Sequence, residues 1–231
     1  MQINTSRARD YEDNYRHKGA REKLVNQIKE KGITDEGVLA AINNIPRHYF
    51  VSPEMERFAY EDRALSIGDG QTISQPYTVA FQTQLLKVEP RCKVLEIGTG
   101  SIYQATVLAE LQAYVYTIER QKNLFQNTDK FILKNKYRGI KFFYGDGFDG
   151  LPTFAPFDRI IITAGAPEIP KKLMAQLKPG GIMVIPVDEL GGGQRMLRIT
   201  KNTDGSFTEE AFDMFSFVPM LKGVNKGGLN L

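Results

Sequence analysis

The 231-residue chain contains one cysteine, Cys92, so it cannot close an internal disulfide. Arg91 and Lys93 flank that thiol and would favour its ionised form, but its place at the start of an apolar run reads as a buried packing position. Histidine is almost as scarce. His17 and His48 are the only two, far apart in the sequence and without a Cys or carboxylate cluster beside either, so both are read as surface or packing residues and no metal is expected. No apolar stretch approaches the ~18 residues of a membrane span, and nothing resembles a signal peptide, which leads us to expect a cytoplasmic protein without a membrane partner. Long basic blocks are missing too. With 30 Lys and Arg against 27 Asp and Glu, a net charge of +3 and no Lys/Arg cluster, nucleic acid is not the expected partner. Repeats and low-complexity linkers are also lacking. A chain of this length supports one sizeable core, and we expect a single domain over residues 1–231. Within it, 1–90 would supply N-terminal helices and a polar loop, 91–221 an α/β core, and 222–231 a loose tail.

What is present is organised around Lys93 to Leu111. Val94, Leu95 and Ile97 form an apolar run too short for a helix, Gly98-Thr99-Gly100 interrupts it, and an apolar pattern of helical period resumes at Ala105, Leu108, Ala109 and Leu111. Strand, glycine turn, helix is the reading. Such a turn lets the backbone approach a ligand, and the unpaired N–H groups of the following helix face an acceptor. The dinucleotide fingerprint needs a third glycine where Tyr103 stands, which counts against a pyrophosphate over the turn. Glu96 at the strand's end would repel a phosphate and attract an ammonium group, and S-adenosylmethionine carries one.

Upstream, Leu24, Val25 and Ile28 give a helical stripe closed by Lys31-Gly32, and a second helix carrying Val38, Leu39, Ala41 and Ile42 runs from a start at Thr34 to Pro46. Between Tyr60 and Leu86, Gly68, Gly70 and Pro76 break regular structure, while Gln71, Thr72, Ser74 and Gln75 crowd hydrogen-bonding side chains ahead of a helix beginning near Tyr77. Ser74 reads either as the cap of that helix or as part of a substrate site. Downstream, Tyr114 to Ile118 alternates as a strand ending in Glu119, about twenty residues past the turn, where an acid can bind both ribose hydroxyls. A helix through Leu124, Phe125 and Phe131 leads to a strand from Ile140 to Tyr144 and then Gly145-Asp146-Gly147; Asp146 is equally a turn residue or a partner for an adenine amino group. Phe157 to Thr163 and Ile182 to Val187 read as parallel strands, separated by a helix from Leu173 to Leu177 and the breaker Pro179-Gly180-Gly181. The rhythm is α/β, a doubly wound, mostly parallel, Rossmann-like sheet with its ligand beyond the strands' carboxyl ends. Gln194 to Thr200 and Phe207 to Phe217 close it as an antiparallel C-terminal hairpin.

GQTISQPY, VLEIGTGS-x-YQA, YTIER, GDG, FDRIIITAGAPEIP, LKPGGIMVIPV and FVPML follow one another in an order and spacing that resemble the protein-L-isoaspartate O-methyltransferases, from about Tyr15 to Leu221. The glycine motif is shared by AdoMet-dependent methyltransferases generally, whereas the TISQP loop and FVP ending are particular to this family. The resemblance implies methyl transfer from S-adenosyl-L-methionine, leaving S-adenosyl-L-homocysteine, to the α-carboxylate of isoaspartyl residues in peptides and damaged proteins, by a monomer. It further implies that Glu96, Gly98, Thr99, Gly100, Ser101, Glu119, Arg120, Asp146 and Gly147 serve the cofactor. Ser74 would hold the substrate carboxylate, with Thr72, Ile73 and Phe217-Val218-Pro219 around the peptide.

The chemistry needs no histidine, because a carboxylate with a pKa of about 4 is already an anion at neutral pH. A covalent serine is not expected: no triad partner is visible for Ser74, and G-x-S-x-G is absent. One position departs from the family's G-x-G-S-G-Y turn. Ile102 replaces the last glycine, and if that position needs a positive φ the isoleucine costs about 1–2 kcal/mol, with crowding of the cofactor a further expected penalty. A weakened or non-catalytic binding protein, or a methyltransferase of another small carboxylate, are the alternatives.

Overall fold

The computed structural model describes residues 11–226, and the last five positions of the expected loose tail lie outside that range. Alternating apolar residues build a seven-stranded sheet, because every second side chain must find cover on the same face. In chain order the strands are β3 (Lys93–Ile97), β4 (Tyr114–Glu119), β5 (Ile140–Tyr144), β6 (Phe157–Ile162), β7 (Leu177–Asp188), β8 (Gln194–Lys201) and β9 (Phe207–Phe215), after a separate hairpin of β1 (Leu65–Gly68) and β2 (Gln71–Ile73). The sheet order is β5-β4-β3-β6-β7-β8-β9, parallel through β7 and antiparallel for the last two pairings. β3 lies between β4 and β6, so the winding reverses there and a crevice opens beyond its carboxyl end, the usual ligand position in such sheets.

Helices α1 (Tyr15–Glu30), α2 (Glu36–Asn44), α3 (Pro76–Leu86) and α4 (Tyr103–Glu110) supply Leu24, Ile28, Val38, Ile42, Val79, Leu86 and Leu108 to one core, shared with Val94, Ile161, Ile182 and Val184. The intervening residues Leu95, Ile160, Ile162, Met183 and Ile185 enter a second core, with Leu173 of α6 (Lys171–Ala175). The strict division of β6 and β7 between two cores is the period-two rule of a sheet covered on both faces.

Several boundaries differ from the expectations. The second helix is capped by Asp35, whose carboxylate accepts from Val38 N, and not by Thr34. The helix after β4, α5 (Lys122–Asn127), is short and passes into a turn of 3-10 helix. Pro179-Gly180-Gly181 does not separate α6 from the next strand but forms a bulge inside β7: Phe157 faces Leu177 while Arg159 faces Ile182, leaving Asp158 opposite the extra residues. Lys178 in the bulge pairs with that Asp158. Gly68 and Gly70, expected to break regular structure, instead shape the β1–β2 hairpin, whose two central residues Asp69 and Gly70 have φ of 50° and 66°. The described part of the tail is tied down as well. Asn225 bridges to Gln121, with Lys122 N donating to its carbonyl at 3.0 Å, and Gly223 N donates to Asp146 Oδ2 at 2.6 Å.

Candidate active site

Beyond Ile97 the chain turns on two glycines with φ of +98° at Gly98 and +49° at Gly100. A side chain at Gly98 would stand 2.6 Å from Thr163 Oγ1, so the close approach of β3 and β6 requires glycine there as much as the torsion does. Gly100 N donates to Glu119 Oε2 at 2.9 Å, and Gln121 N donates to Glu119 Oε1 at 2.8 Å. The acid at the end of β4 is thus fixed by two main-chain donors with lone pairs left over, and its burial raises its pKa. Ile102 closes the turn as the N-cap of α4 with φ +74°, the left-handed conformation that the missing glycine would have adopted freely. Its side chain is buried in the first core and lines a groove with Phe50, Met55 and Phe131, on the other side of the turn from the cavity above Gly98. Ile102 is thus not part of the lining of the cavity above Gly98, while the positive φ that its position was expected to need is present.

Ser74 does not cap α3. Asp62 does so from a distance, accepting from Tyr77 N at 2.8 Å through Oδ1 and from Gln75 Nε2 at 3.0 Å through Oδ2. Arg47, fully buried, donates from Nε to the carbonyl of Ala59 and from Nη2 to the carbonyl of Ser74 at 2.9 Å. With its main chain held and its hydroxyl free of any capping duty, Ser74 is left partly exposed at the cavity.

The space between the cavity walls amounts to about 820 Å³, part of it open to solvent. Gly98, Thr99, Gly100, Ser101, Glu119, Arg120 and Gly147 line it, as do Thr72, Ile73, Ser74, Val218 and Pro219. A wider groove lined by Lys31, Tyr77, Met214, Phe215 and Phe217 meets it at Thr72, Ser74, Thr163 and Val218. Phe217 faces the groove and not the cavity.

Two expected cofactor residues lie elsewhere. Glu96 is wholly buried beneath the turn and outside the cavity lining; neither carboxylate oxygen has a hydrogen-bond partner, and burial pushes its pKa up to about 8. A proton held in the neutral range removes the charge that was to attract an ammonium group. Asp146 is also off the wall: Oδ1 accepts from Phe148 N and Oδ2 from Gly223 N, so it orders the turn and tail while Gly147 faces the cavity. The histidines, expected to be isolated, are stacked with ring centroids 3.9 Å apart. Both approach the carbonyl of Glu12, His17 through Nδ1 at 3.0 Å and His48 through Nε2 at 3.2 Å, and His48 Nδ1 meets the Tyr60 hydroxyl at 2.6 Å. Asp13 beside them is committed to Arg21 through both oxygens.

Sequence reasoning missed Arg47, Asp62, Gln104 and Thr163. Thr163 alone was signalled, by standing at the carboxyl end of a parallel strand, where the ligand was expected.

A crevice at the winding reversal, glycines under a buried strand-end acid and a polar loop opposite define a class of nucleoside-binding α/β proteins. Within it, residues 19–225 match the family Protein-L-isoaspartate(D-aspartate) O-methyltransferase, and the chain belongs to that family. The protein-L-isoaspartate O-methyltransferase of Cytophaga hutchinsonii is 53% identical over 219 residues, 95% of this chain and 97% of the relative. That of Dictyoglomus thermophilum is 50% identical over 211 residues, 90% and 93% of the two chains. Among solved structures, a protein-L-isoaspartate O-methyltransferase superposes with a TM-score of 0.77 at 28% identity over 86% of this chain, which spans 65% of that protein's length. A Plasmodium falciparum structure, described as a putative enzyme of this kind in complex with S-adenosyl-L-homocysteine, shares the fold with a TM-score of 0.75 at 24% identity, over 87% of this chain and 98% of its own.

Proposed function

We propose that this chain is a repair methyltransferase that methylates the α-carboxylate of L-isoaspartyl residues in damaged proteins, with the cavity above the glycine turn for S-adenosyl-L-methionine and the adjoining groove for the peptide. The observation that carries this reading is the position of Ser74, at the seam where the cavity opens into the groove. The residues fit the cofactor. Glu119 presents a fixed acceptor of the kind that binds ribose hydroxyls, Gly147 gives a wall with no side chain, and Gly98 to Ser101 lay backbone along the cavity floor. Bound there, S-adenosyl-L-methionine supplies an electrophilic methyl group and leaves as S-adenosyl-L-homocysteine.

The substrate carboxylate arrives ionised, so the chain's work is placement and desolvation. The Ser74 hydroxyl donates to one carboxylate oxygen and leaves the other directed into the cavity. Arg47 and Asp62 immobilise the main chain on either side of that hydroxyl, which restricts the carboxylate to one approach. Thr72 and Ile73 border it on one side. Phe217, Val218 and Pro219 border it on the other, fastened by Gly165 N to Val218 O at 2.8 Å and Phe217 N to Gln194 Oε1 at 2.8 Å. Arg120 lines the nucleoside end and is braced by donating from Nε to the carbonyl of Gly223. The methyl ester then closes without further help, its neighbouring main-chain nitrogen attacking the ester carbonyl and expelling methanol to give a succinimide that hydrolyses partly to aspartate. Residues 1–231 act as one domain acting on a polypeptide, in the cytoplasm and as a monomer.

The test is labelled S-adenosyl-L-methionine with matched isoaspartyl and aspartyl peptides. Label should enter the isoaspartyl peptide alone; equal labelling of both would refute the assignment. Ser74→Ala should lower kcat by at least about tenfold, the loss of one hydrogen bond to a charged group, while S-adenosyl-L-homocysteine binding stays within about twofold.

A further inference from the structure

Gln104, the second residue of α4, is buried and lines the cavity, yet its Oε1 has no hydrogen-bond partner. The orientation of this amide is set by a directed chain. Thr83 Oγ1 donates to the carbonyl of Val79 at 2.7 Å, so its one hydrogen is used and it can only accept from Gln104. Gln104 Nε2 supplies that donor at 3.0 Å, which leaves Oε1 as the amide's other limb. Reversing the amide would place two acceptors against each other. A buried acceptor without a partner costs stability, so a group held in that state by the fold is one completed by something the cavity receives.

The other buried side-chain atoms in this condition have different surroundings. Arg47 and Tyr103 lie against each other, with the guanidinium 4.8 Å from the ring centroid, and Glu96 is outside the cavity lining. Gln104 offers an acceptor whose direction is fixed and whose complement must be a donor.

We infer that Gln104 is a binding residue for an N–H group of the bound ligands, its Oε1 accepting from nitrogen. This rests on the reading of the cavity as the site of S-adenosyl-L-methionine and an isoaspartyl peptide. On that reading two N–H sources reach the cavity that Gln104 lines: the ammonium group of the cofactor's methionyl arm and a main-chain amide of the peptide. Both are donors; the ammonium is charged and also carried by S-adenosyl-L-homocysteine, which allows them to be separated.

The experiment titrates S-adenosyl-L-homocysteine calorimetrically into wild type, Gln104→Leu and Gln104→Glu without peptide, then measures peptide KM at saturating S-adenosyl-L-methionine. If Oε1 takes the ammonium, Gln104→Leu raises Kd about tenfold or more, as expected for a hydrogen bond to a charged group, with peptide KM unchanged. Gln104→Glu, which keeps an acceptor and adds a charge, then binds within about threefold of wild type or tighter. If Oε1 takes the peptide amide, Gln104→Leu leaves Kd unchanged and raises KM about three- to tenfold. Thr83→Val, which releases the amide without touching the cavity wall, should weaken the same quantity in the same direction. Wild-type Kd and KM in a folded Gln104→Leu protein would overturn the inference alone. No binding by wild type would overturn the cavity reading and this inference with it.

Discussion

Ile102 is the position where sequence and structure make the sharpest joint prediction. Its φ of +74° is costly for any β-branched residue, by about 1–2 kcal/mol, and glycine would remove that cost. Against this stands the packing of a side chain only 7% exposed, among Phe50, Met55 and Phe131. Truncating a buried isoleucine costs about 2–5 kcal/mol. Ile102→Gly should therefore be destabilised by roughly 2–3 kcal/mol once the added freedom of the unfolded chain is included, lowering Tm by about 4–10 °C. Ile102→Ala loses nearly the same contacts but retains the left-handed torsion, so it should be less stable than Ile102→Gly, the reverse of the order found in ordinary helical positions. Thermal unfolding of the three proteins side by side reads this order directly. Because the side chain lies across the turn from the cavity, S-adenosyl-L-homocysteine should bind wild type and Ile102→Gly within about threefold of each other, an allowance below one hydrogen bond. An alanine variant more stable than the glycine variant would refute the torsional argument. A tenfold gain in affinity on introducing glycine would refute the placement of the side chain and restore crowding as the consequence of this substitution.

Glu96 has a carboxyl group raised from 4.5 to about 8 by burial, so between those pH values the native protein keeps a proton that the unfolded chain releases. The stability it provides is present in full below pH 4.5 and is lost as pH rises through 8. Glu96→Gln should accordingly gain Tm relative to wild type as pH is raised from 5 to 8, by up to a few kcal/mol in stability; a gap that does not change with pH would contradict it. Asp62→Ala should cost about 1–2 kcal/mol through loss of the α3 cap, and should lower kcat/KM for peptide more than S-adenosyl-L-homocysteine affinity because Ser74 lies beside the freed strand of chain. Its refutation would be unchanged turnover with lowered stability. In the groove, Phe217→Ala should raise peptide KM about five- to thirtyfold with kcat little altered, and most for peptides with an apolar residue next to the isoaspartyl position, as burial against Tyr77, Phe215 and Phe217 requires. Equal effects on apolar and polar flanks would argue that this groove does not hold the flanking residue.

The parallel core was legible because the cause of each strand is local. Val94, Leu95 and Ile97 in one segment and Ile160 to Ile162 in another are short apolar runs followed by residues that stop a strand, so their alternation with helical patterns implied a doubly wound sheet with its ligand beyond the strands' carboxyl ends. The glycine turn and Glu119 were readable for the same reason, since a φ above zero and a fixed distance along the chain are properties of a short segment. The reading failed where cause and effect are far apart in sequence. Asp62 caps a helix fifteen positions on, a range at which an N-cap cannot be told from any surface acid. Ser74, adjacent to that helix, was left open between the cap that Asp62 performs and a substrate-site residue, and Arg47 reaches the Ser74 carbonyl across 27 positions. His17 and His48 were separated on paper and stack in space because α1 and the turn after α2 are brought together through Leu24, Ile28 and Phe50.

Glu96 shows a different kind of failure. Its identity and its place at the end of a strand were both read correctly, yet its charge was not, because ionisation is decided by surroundings that the sequence does not order. Glu96 is wholly buried opposite Thr117 of the neighbouring strand, whose hydroxyl lies 2.7 Å from that of Thr99, and it is absent from the cavity lining. The acid that does face the cavity, Glu119, is held by main-chain N–H groups at Gly100 and Gln121, and that is what keeps an acceptor at the wall in spite of its burial. Two carboxylates on neighbouring strands thus differ in role through their surroundings: burial holds a proton on Glu96, whereas Glu119 faces the cavity and is held by main-chain donors that leave it able to meet a hydroxyl. A chain that exchanged those donors, with Glu119 unsupported, would lose the nucleoside end of the site before it lost the fold.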